Sequence, residues 1–397
     1  MTEALLTLNA GSSSLKFALF ETRGDAVDLV AKGQVEGIGT APRMIAKDAA
    51  GAVLTERTWP QAARLDHEAF LEPLFAWADA HLGGDRLAAI GHRIVHGGAA
   101  YSAPVVIDSA VLTALDALCP LAPLHQPHNL AAVRAAQAVR PGLPQVACFD
   151  TAFPHGHAEV VTRFALPRAW HEQGVRRYGF HGLSYEFVSG RLQELDPTLA
   201  AGKVIIAHLG AGASLCALDA GRSVDTTMGF TALDGLMMAT RCGALDPGVI
   251  LYLQQQAGLT VEAVQTLLYE HSGLLGVSGL SSDMRALLDS PDAAARDAID
   301  LFTFRVARDA GALMASLGGL DGVVFTAGIG ENAPEVRAAV ADRLGWTGLK
   351  LDAEANRAGA GVISRPDSRV KAWVIPTDEE AMIARHTAAV ALNAEPV

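Results

Sequence analysis

The chain has 397 residues, half of them hydrophobic and 19% charged, which is enough for a substantial core and suggests two domains or one large one. Its formal net charge is −12 and no block of lysine or arginine occurs, which argues against nucleic-acid and anionic-membrane partners. Four cysteines without a C-x-x-C pair, no apolar run of membrane-spanning length and an amino terminus with Glu3 and no positive region read as a soluble, cytoplasmic protein with reduced thiols and no signal peptide.

In chain order, the first element is a hairpin. Two apolar strands flank the small polar turn Asn9 to Ser14, and Lys16 follows. This turn has more hydroxyls and backbone donors than reversing the chain requires. Leu87 to Val95 reads as a strand ending in G-H-R-I-V-H-G-G. Ser109 to Cys119 and Asn129 to Val139 read as helices, and Gln145 to Phe149 as a strand ending at Asp150. At Lys203 the opening pattern returns: a buried strand, a turn from Gly210 to Ser214, and a second apolar strand. Two similar units half a chain apart suggest a duplicated domain with a cleft between the halves. Asp292 to Leu317 reads as a long helix, and Gly322 to Thr326 as a strand entering the glycine turn 327–332, with a helix from Pro334. Val370 to Ile375 is the last strand, before P-T-D-E-E and a final helix from 381 to 397. The class is α/β with mixed sheets.

Three glycine turns follow apolar strands: Asn9 to Ser14, Gly210 to Ser214 and Gly328 to Asn332. Their inward-pointing N–H groups make anion nests, and three nests suit a nucleotide with several phosphates. None matches the P-loop or the dinucleotide fingerprint. Isolated positive groups sit in small-residue loops: Arg93, His181 and Arg241. Asp150, Asp283 and Glu379 occupy similar loops, and one or two of them should face a metal ion on the phosphates. His155 and His157 have no third ligand at a zinc spacing and read as loop histidines.

A longer set of motifs is more specific. L-N-A-G-S-S-S-L-K, G-H-R-I-V-H-G-G, L-A-P-L-H-Q-P-H-N, F-D-T-A-F, Y-G-F-H-G, H-L-G-A-G-A-S, M-G-F-T-A-L-D-G-L, D-P-G, S-S-D-M-R, G-I-G-E-N and I-P-T-D-E-E resemble, in order, the acetate kinase family of the sugar-kinase/actin superfamily. The resemblance runs from Leu8 to Arg385. It implies two duplicated ribonuclease H-like domains around a nucleotide cleft, one spanning 1–150 and completed by 381–397, the other spanning 151–380. It also implies transfer of a phosphoryl group between ATP and acetate, giving ADP and acetyl phosphate, with Mg²⁺ or alternatively Mn²⁺, in a homodimer.

On matching positions, the resemblance implies that Arg93 binds the acetate carboxylate. Arg241 and His181 would stabilise the transferring phosphoryl group, and Asn9 and Glu379 would position the metal. Lys16, His208, Leu209, Gly210, Ala211, Gly212, Asp283, Met284, Arg285, Gly328, Ile329, Gly330, Glu331 and Asn332 would bind ATP. Val95, Leu124, Phe180 and Ala232 would wall the acetate methyl, with His125 beside them. Asp150 is the family's acid/base residue. A carboxylate acceptor has a pKa of about 4 and needs no base at neutral pH, so Asp150 is expected to orient Arg93, a metal-bound water or the acceptor.

The chain departs from the family at Ala211 for Asn, Ala232 for Pro, Asp234 for Glu, Ala244 for Asp and Pro154 for His. The smaller Ala232 keeps a propionate or other short-chain acyl kinase open as an alternative. A more distant alternative is an actin-like nucleotide-binding scaffold without transfer chemistry.

Overall fold

The computed structural model describes residues 3–11, 14–24, 26–38, 40–59, 68–82, 86–359 and 361–392. Ser12 and Ser13 of the first glycine turn, and 393–397 of the expected final helix, lie outside the described residues. The chain divides into two compact units, Met1–Phe153 with Asp378–Val397, and Pro154–Thr377.

The first unit is built on an eight-stranded sheet. Its strands are Glu3–Ala10 (β1), Ser14–Arg23 (β2), Ala26–Glu36 (β3), Arg43–Asp48 (β4), Val53–Thr58 (β5), Arg86–Ile94 (β6), Val105–Val106 (β7) and Gln145–Phe149 (β8), in the order β5-β4-β3-β2-β1-β6-β8-β7. β1 lies antiparallel to β2, with Ala10 opposite Leu15, and parallel to β6, with Leu8 opposite His92. One face packs on the helices Glu68–His81 and Gln126–Val139 through Leu6, Leu8, Phe17, Leu19, Phe70 and Leu74. Burying each such side chain stabilises the fold by about 1.5–3 kcal/mol.

The helix Glu379–Ala391 covers the other face over Leu5, Ala18, Phe20 and Ala89. Expected from 381, it starts earlier because Asp378 caps it, accepting a hydrogen bond from the Ala381 amide at 2.8 Å. Glu379 and Glu380 then fall in its first turn, where the helix dipole favours negative charge.

The second unit holds a six-stranded sheet. Its strands are Lys203–Leu209 (β9), Ala213–Asp219 (β10), Arg222–Thr226 (β11), Gly322–Thr326 (β12), Gly361–Val362 (β13) and Lys371–Val374 (β14), in the order β11-β10-β9-β12-β14-β13. β9 is antiparallel to β10 and parallel to β12, and β12 is parallel to β14. The run β3-β2-β1-β6-β8-β7 has the same directions as β11-β10-β9-β12-β14-β13, strand for strand. This is the duplicated ribonuclease H-like pattern, with two further strands in the first unit.

Further expectations change. The segment 327–332 is a six-residue helix, Ala327–Asn332, and not an open turn. Its entry is fixed by Ala327 at φ 64° and by Glu331 Oε1, which accepts from the Ala327 amide at 2.8 Å. The helix expected to reach Cys119 stops at Asp116, and Pro120 sits in a separate 3₁₀ turn, Cys119–Leu121. No helix among the described residues is long and apolar enough to cross a membrane.

Gly91 on β6 is the point of closest approach to the final helix. A Cβ there would collide with Thr387 Oγ1 and stand 2.6 Å from Ile383 Cγ2, both on that helix. Gly91→Ala is expected to cost about 1–3 kcal/mol, the usual range for overpacking. Urea unfolding checks this, and an unchanged midpoint would show that the helix yields freely.

Candidate active site

Three parallel strands of the first unit, β1, β6 and β8, end at one edge of its sheet, and the polar groups gather there. Arg93 Nε donates to Asp150 Oδ1 at 3.1 Å and Nη2 to Oδ2 at 2.5 Å. Arg93 Nη1 donates to Asn9 Oδ1 at 3.2 Å, and Glu379 Oε2 lies 3.8 Å from Nε. A guanidinium has five donors, so among the described residues these three bonds leave two for an incoming anion. Asp150 is buried, so its bidentate grip fixes the plane of the fork. Burial works against the charge on Arg93, but Asp150 and then Glu379 outweigh it and raise the pKa. Burial, and then Glu379, push the Glu380 carboxyl above its ordinary range, with Lys16 opposing.

The nearby backbone is held from behind. Asn129 Oδ1 accepts from the Val95 amide at 3.0 Å, and its Nδ2 donates to Ala10 O at 2.7 Å. Val95 is buried, while Leu124 and His125 are half-buried. His92 and His96 are neutral: burial holds both down at about 4. The Gly98 amide donates to His96 Nδ1 at 2.8 Å, a structural role.

The second unit shows the same logic at the ends of β9 and β12. A cavity of about 490 Å³ is lined by Gly210, Ala211, Asp283, Met284, Arg285, Gly328, Ile329 and Asn332 from the sequence motifs, together with Ala239, Ser282 and Ala333. That volume is within the range of small-molecule sites. Asp283 caps the helix Met284–Leu288 and is held below the usual carboxylate range by the Arg285 amide and side chain.

The other motif residues sit elsewhere. Leu209 is buried in the core, and Glu331 is taken by the Ala327 and Thr377 amides. Lys16 belongs to the first unit, on a separate cavity of about 360 Å³ with Lys32, Lys47 and Glu380.

His181 and Arg241 converge on Gly212. A Cβ there would stand 3.0 Å from His181 Nε2 and 3.3 Å from Arg241 Nη2, so the absent side chain lets both groups approach the turn. Arg241 Nη1 donates to Ala232 O at 2.6 Å. The rings of His181 and His208 stack at 4.2 Å, and His208 Nδ1 lies 2.8 Å from Ser184 Oγ. His181 is left-handed at φ 60°, a strained conformation for a side-chain-bearing residue, and it opens the helix Gly182–Leu195. Phe180 is buried beside it in the chain. His157 faces Ser223 at 2.7 Å.

The Acetokinase family model matches residues 4–385. The chain belongs to the acetokinase family. It is 52% identical to an acetate kinase of Rhodopseudomonas palustris, over 97% of this chain and 98% of that protein. It is 47% identical to an acetate kinase of Deinococcus radiodurans, over 97% of each. Among solved structures, a propionate kinase of Francisella tularensis superposes with a TM-score of 0.90 at 36% identity, covering 98% of this chain and 100% of that one. An acetate kinase of Porphyromonas gingivalis superposes at 0.87 with 37% identity, covering 98% and 99%.

Within this acetokinase site, sequence motifs did not mark Arg337. It is fully buried, and among the described residues no carboxylate is bonded to it. Its Nη1 donates to Gly330 O at 2.9 Å and Glu331 O at 2.8 Å, its Nε to Asn356 Oδ1 at 2.7 Å, and its Nη2 to Asn356 O. It thus holds the carbonyl end of the helix that lines the cavity, where a cation suits the dipole. Burial lowers its pKa. Arg337→Met would strand those acceptors and is expected to cost about 3 kcal/mol. Chemical denaturation measures it, and a loss under about 1 kcal/mol would mean water replaces the guanidinium without cost.

Proposed function

We propose that this protein transfers the γ-phosphoryl group of ATP to acetate, forming acetyl phosphate and ADP, in the reversible reaction named for its acetokinase relatives. The observation that carries the reading is the Arg93 fork: gripped by buried Asp150, it keeps two donors, among the described residues, for a carboxylate. An ionised acceptor needs no base. The obstacle is the approach of one anion to another, and positioning with positive charge removes it.

Arg93 holds the acceptor, with Val95, Leu124, His125, Phe180 and Ala232 around its methyl. Asp150 aims Arg93 and takes no proton. The nucleotide occupies the cavity of the second unit, with Lys16 as a further phosphate contact. His181 and Arg241 stabilise the charge that develops on the transferring group.

A divalent metal ion belongs to this chemistry. No group of three metal-ligating side chains gathers among the described residues, but the Glu379 carboxylate and the amide oxygen of Asn9 both lie beside Arg93 and are hard oxygen donors of the kind such an ion takes. A Mg²⁺-like ion needs one or two carboxylates and keeps several waters, and Mn²⁺ accepts similar ligands. Asn9 and Glu379 would hold it. When bound, the ion neutralises phosphate charge. None of the four cysteines is in a disulfide, which suits a reducing cytoplasm.

The deciding experiment is hydroxamate capture of acetyl phosphate from ATP, Mg²⁺ and acetate, with propionate as a parallel acceptor. Acetate turnover is expected. Asp150→Asn is expected to lower kcat about 100-fold or more while the protein stays folded, because the fork loses its charged anchor. Near-normal kcat would remove Asp150 from the mechanism. Propionate rivalling acetate would favour the acyl-kinase alternative that Ala232 raises.

We also propose a homodimer. The helix Pro247–Gln255 buries none of its residues, although it carries Val249, Leu251 and Tyr252, the last two 54% and 62% exposed. Such an apolar helix face suits an isologous contact. Sedimentation of the wild type is expected to give a dimer, and Leu251→Arg with Tyr252→Asp a monomer. A monomeric wild type would refute it.

A further inference from the structure

Behind His181 lies a chain of buried hydroxyls. His181 Nδ1 is 2.7 Å from Ser214 Oγ, on β10, and Ser214 Oγ is in turn hydrogen-bonded to the Tyr185 hydroxyl. Ser214 and Tyr185 are both fully buried. Tyr185 lies on the helix that His181 opens, and its amide donates to His181 O at 3.0 Å. The contacts close a loop: His181 backbone, Tyr185 backbone, Tyr185 hydroxyl, Ser214 hydroxyl, His181 ring. The loop restrains both the backbone and the ring of a residue held in a left-handed conformation. Ser214 occupies the Nδ1 side of the imidazole, whichever of the two carries the proton. Nε2 is then the ring edge presented toward Gly212 and Arg241. Burial raises the Tyr185 pKa well above its ordinary value, so the hydroxyl stays neutral and keeps its proton.

We propose that Ser214 and Tyr185 are positioning residues for His181: Ser214 sets the ring's orientation, and Tyr185 holds Ser214. The inference rests on the reading in which His181 Nε2 meets the transferring phosphoryl group. Neither residue reaches that group. Both act through the imidazole, and small misplacements of such a group are costly in rate.

The test is a double-mutant cycle in the full-length protein, with kcat, KM for ATP and KM for acetate measured for Ser214→Ala, Tyr185→Phe, His181→Ala and Ser214→Ala/His181→Ala. Ser214→Ala is expected to lower kcat about 10- to 50-fold with both KM values within about threefold, and Tyr185→Phe to lower it about 3- to 10-fold. In the His181→Ala background, Ser214→Ala is expected to change nothing further. ADP binding and thermal unfolding report on the fold, and Tyr185→Phe carries the test if Ser214→Ala does not fold. A kcat loss for His181→Ala with none for either Ser214→Ala or Tyr185→Phe overturns the positioning role alone. Equal losses from Ser214→Ala with and without His181 overturn it too, because the hydroxyl then acts on the fold and not through the ring. Unchanged kcat in His181→Ala overturns the underlying reading itself.

Discussion

Everything at the two candidate sites depends on where the first strand of each unit lies. β1 and β9 are central, each with an antiparallel neighbour on one side and a parallel neighbour on the other. Such a strand leaves the sheet through a tight hairpin at its carboxyl end. Its parallel neighbours end at the same edge, so their loops and the hairpin turn share one place. That geometry delivers Asn9, Arg93 and Asp150 to one edge, and the 210–214 turn with the Ala327–Asn332 helix to the corresponding edge of the other sheet.

Charge decides how those edges differ. In the first unit an arginine is surrounded by carboxylates and pinned by one of them, which suits holding a small anion beside a metal ion. In the second unit nearly half of the cavity's lining residues are glycine or alanine, Asp283 and Arg285 are paired with each other, and His181 and Arg241 meet at the Gly212 turn. In the proposed function a nucleotide's phosphates would meet N–H groups there, leaving side-chain charges for the group that moves.

The sequence showed much of this, for physical reasons. Hairpins with small-residue turns, and β8 and β12 as continuous apolar runs, carry strong local signals, and their limits agree with the structure at Gln145–Phe149 and Gly322–Thr326. The strands β3 to β5 did not stand out: their residues are mostly part-buried or exposed, and β5 has no buried residue, so the apolar signal is weak. The Ala327–Asn332 helix was hidden because two glycines and a left-handed alanine look like a loop. It is held by Glu331 from within and by Arg337 from the next helix. Residues that bear charge in glycine-rich motifs were readable. Ser214, Tyr185 and Arg337 were not, because their work lies in contacts between segments far apart in the chain.

The discontinuity of the first unit bears on how the chain comes into being. Its sheet is made from the first 153 residues, but the helix that covers one face, and that carries Glu379, arrives only with Asp378–Val397. The second unit is one uninterrupted segment. During synthesis from the amino terminus, the second unit has all its strands before the first unit has its last helix. Leu5, Ala18, Phe20 and Ala89 therefore wait, uncovered, until the segment after Thr377 has been made. The same late helix that closes the core brings Glu379 to Arg93.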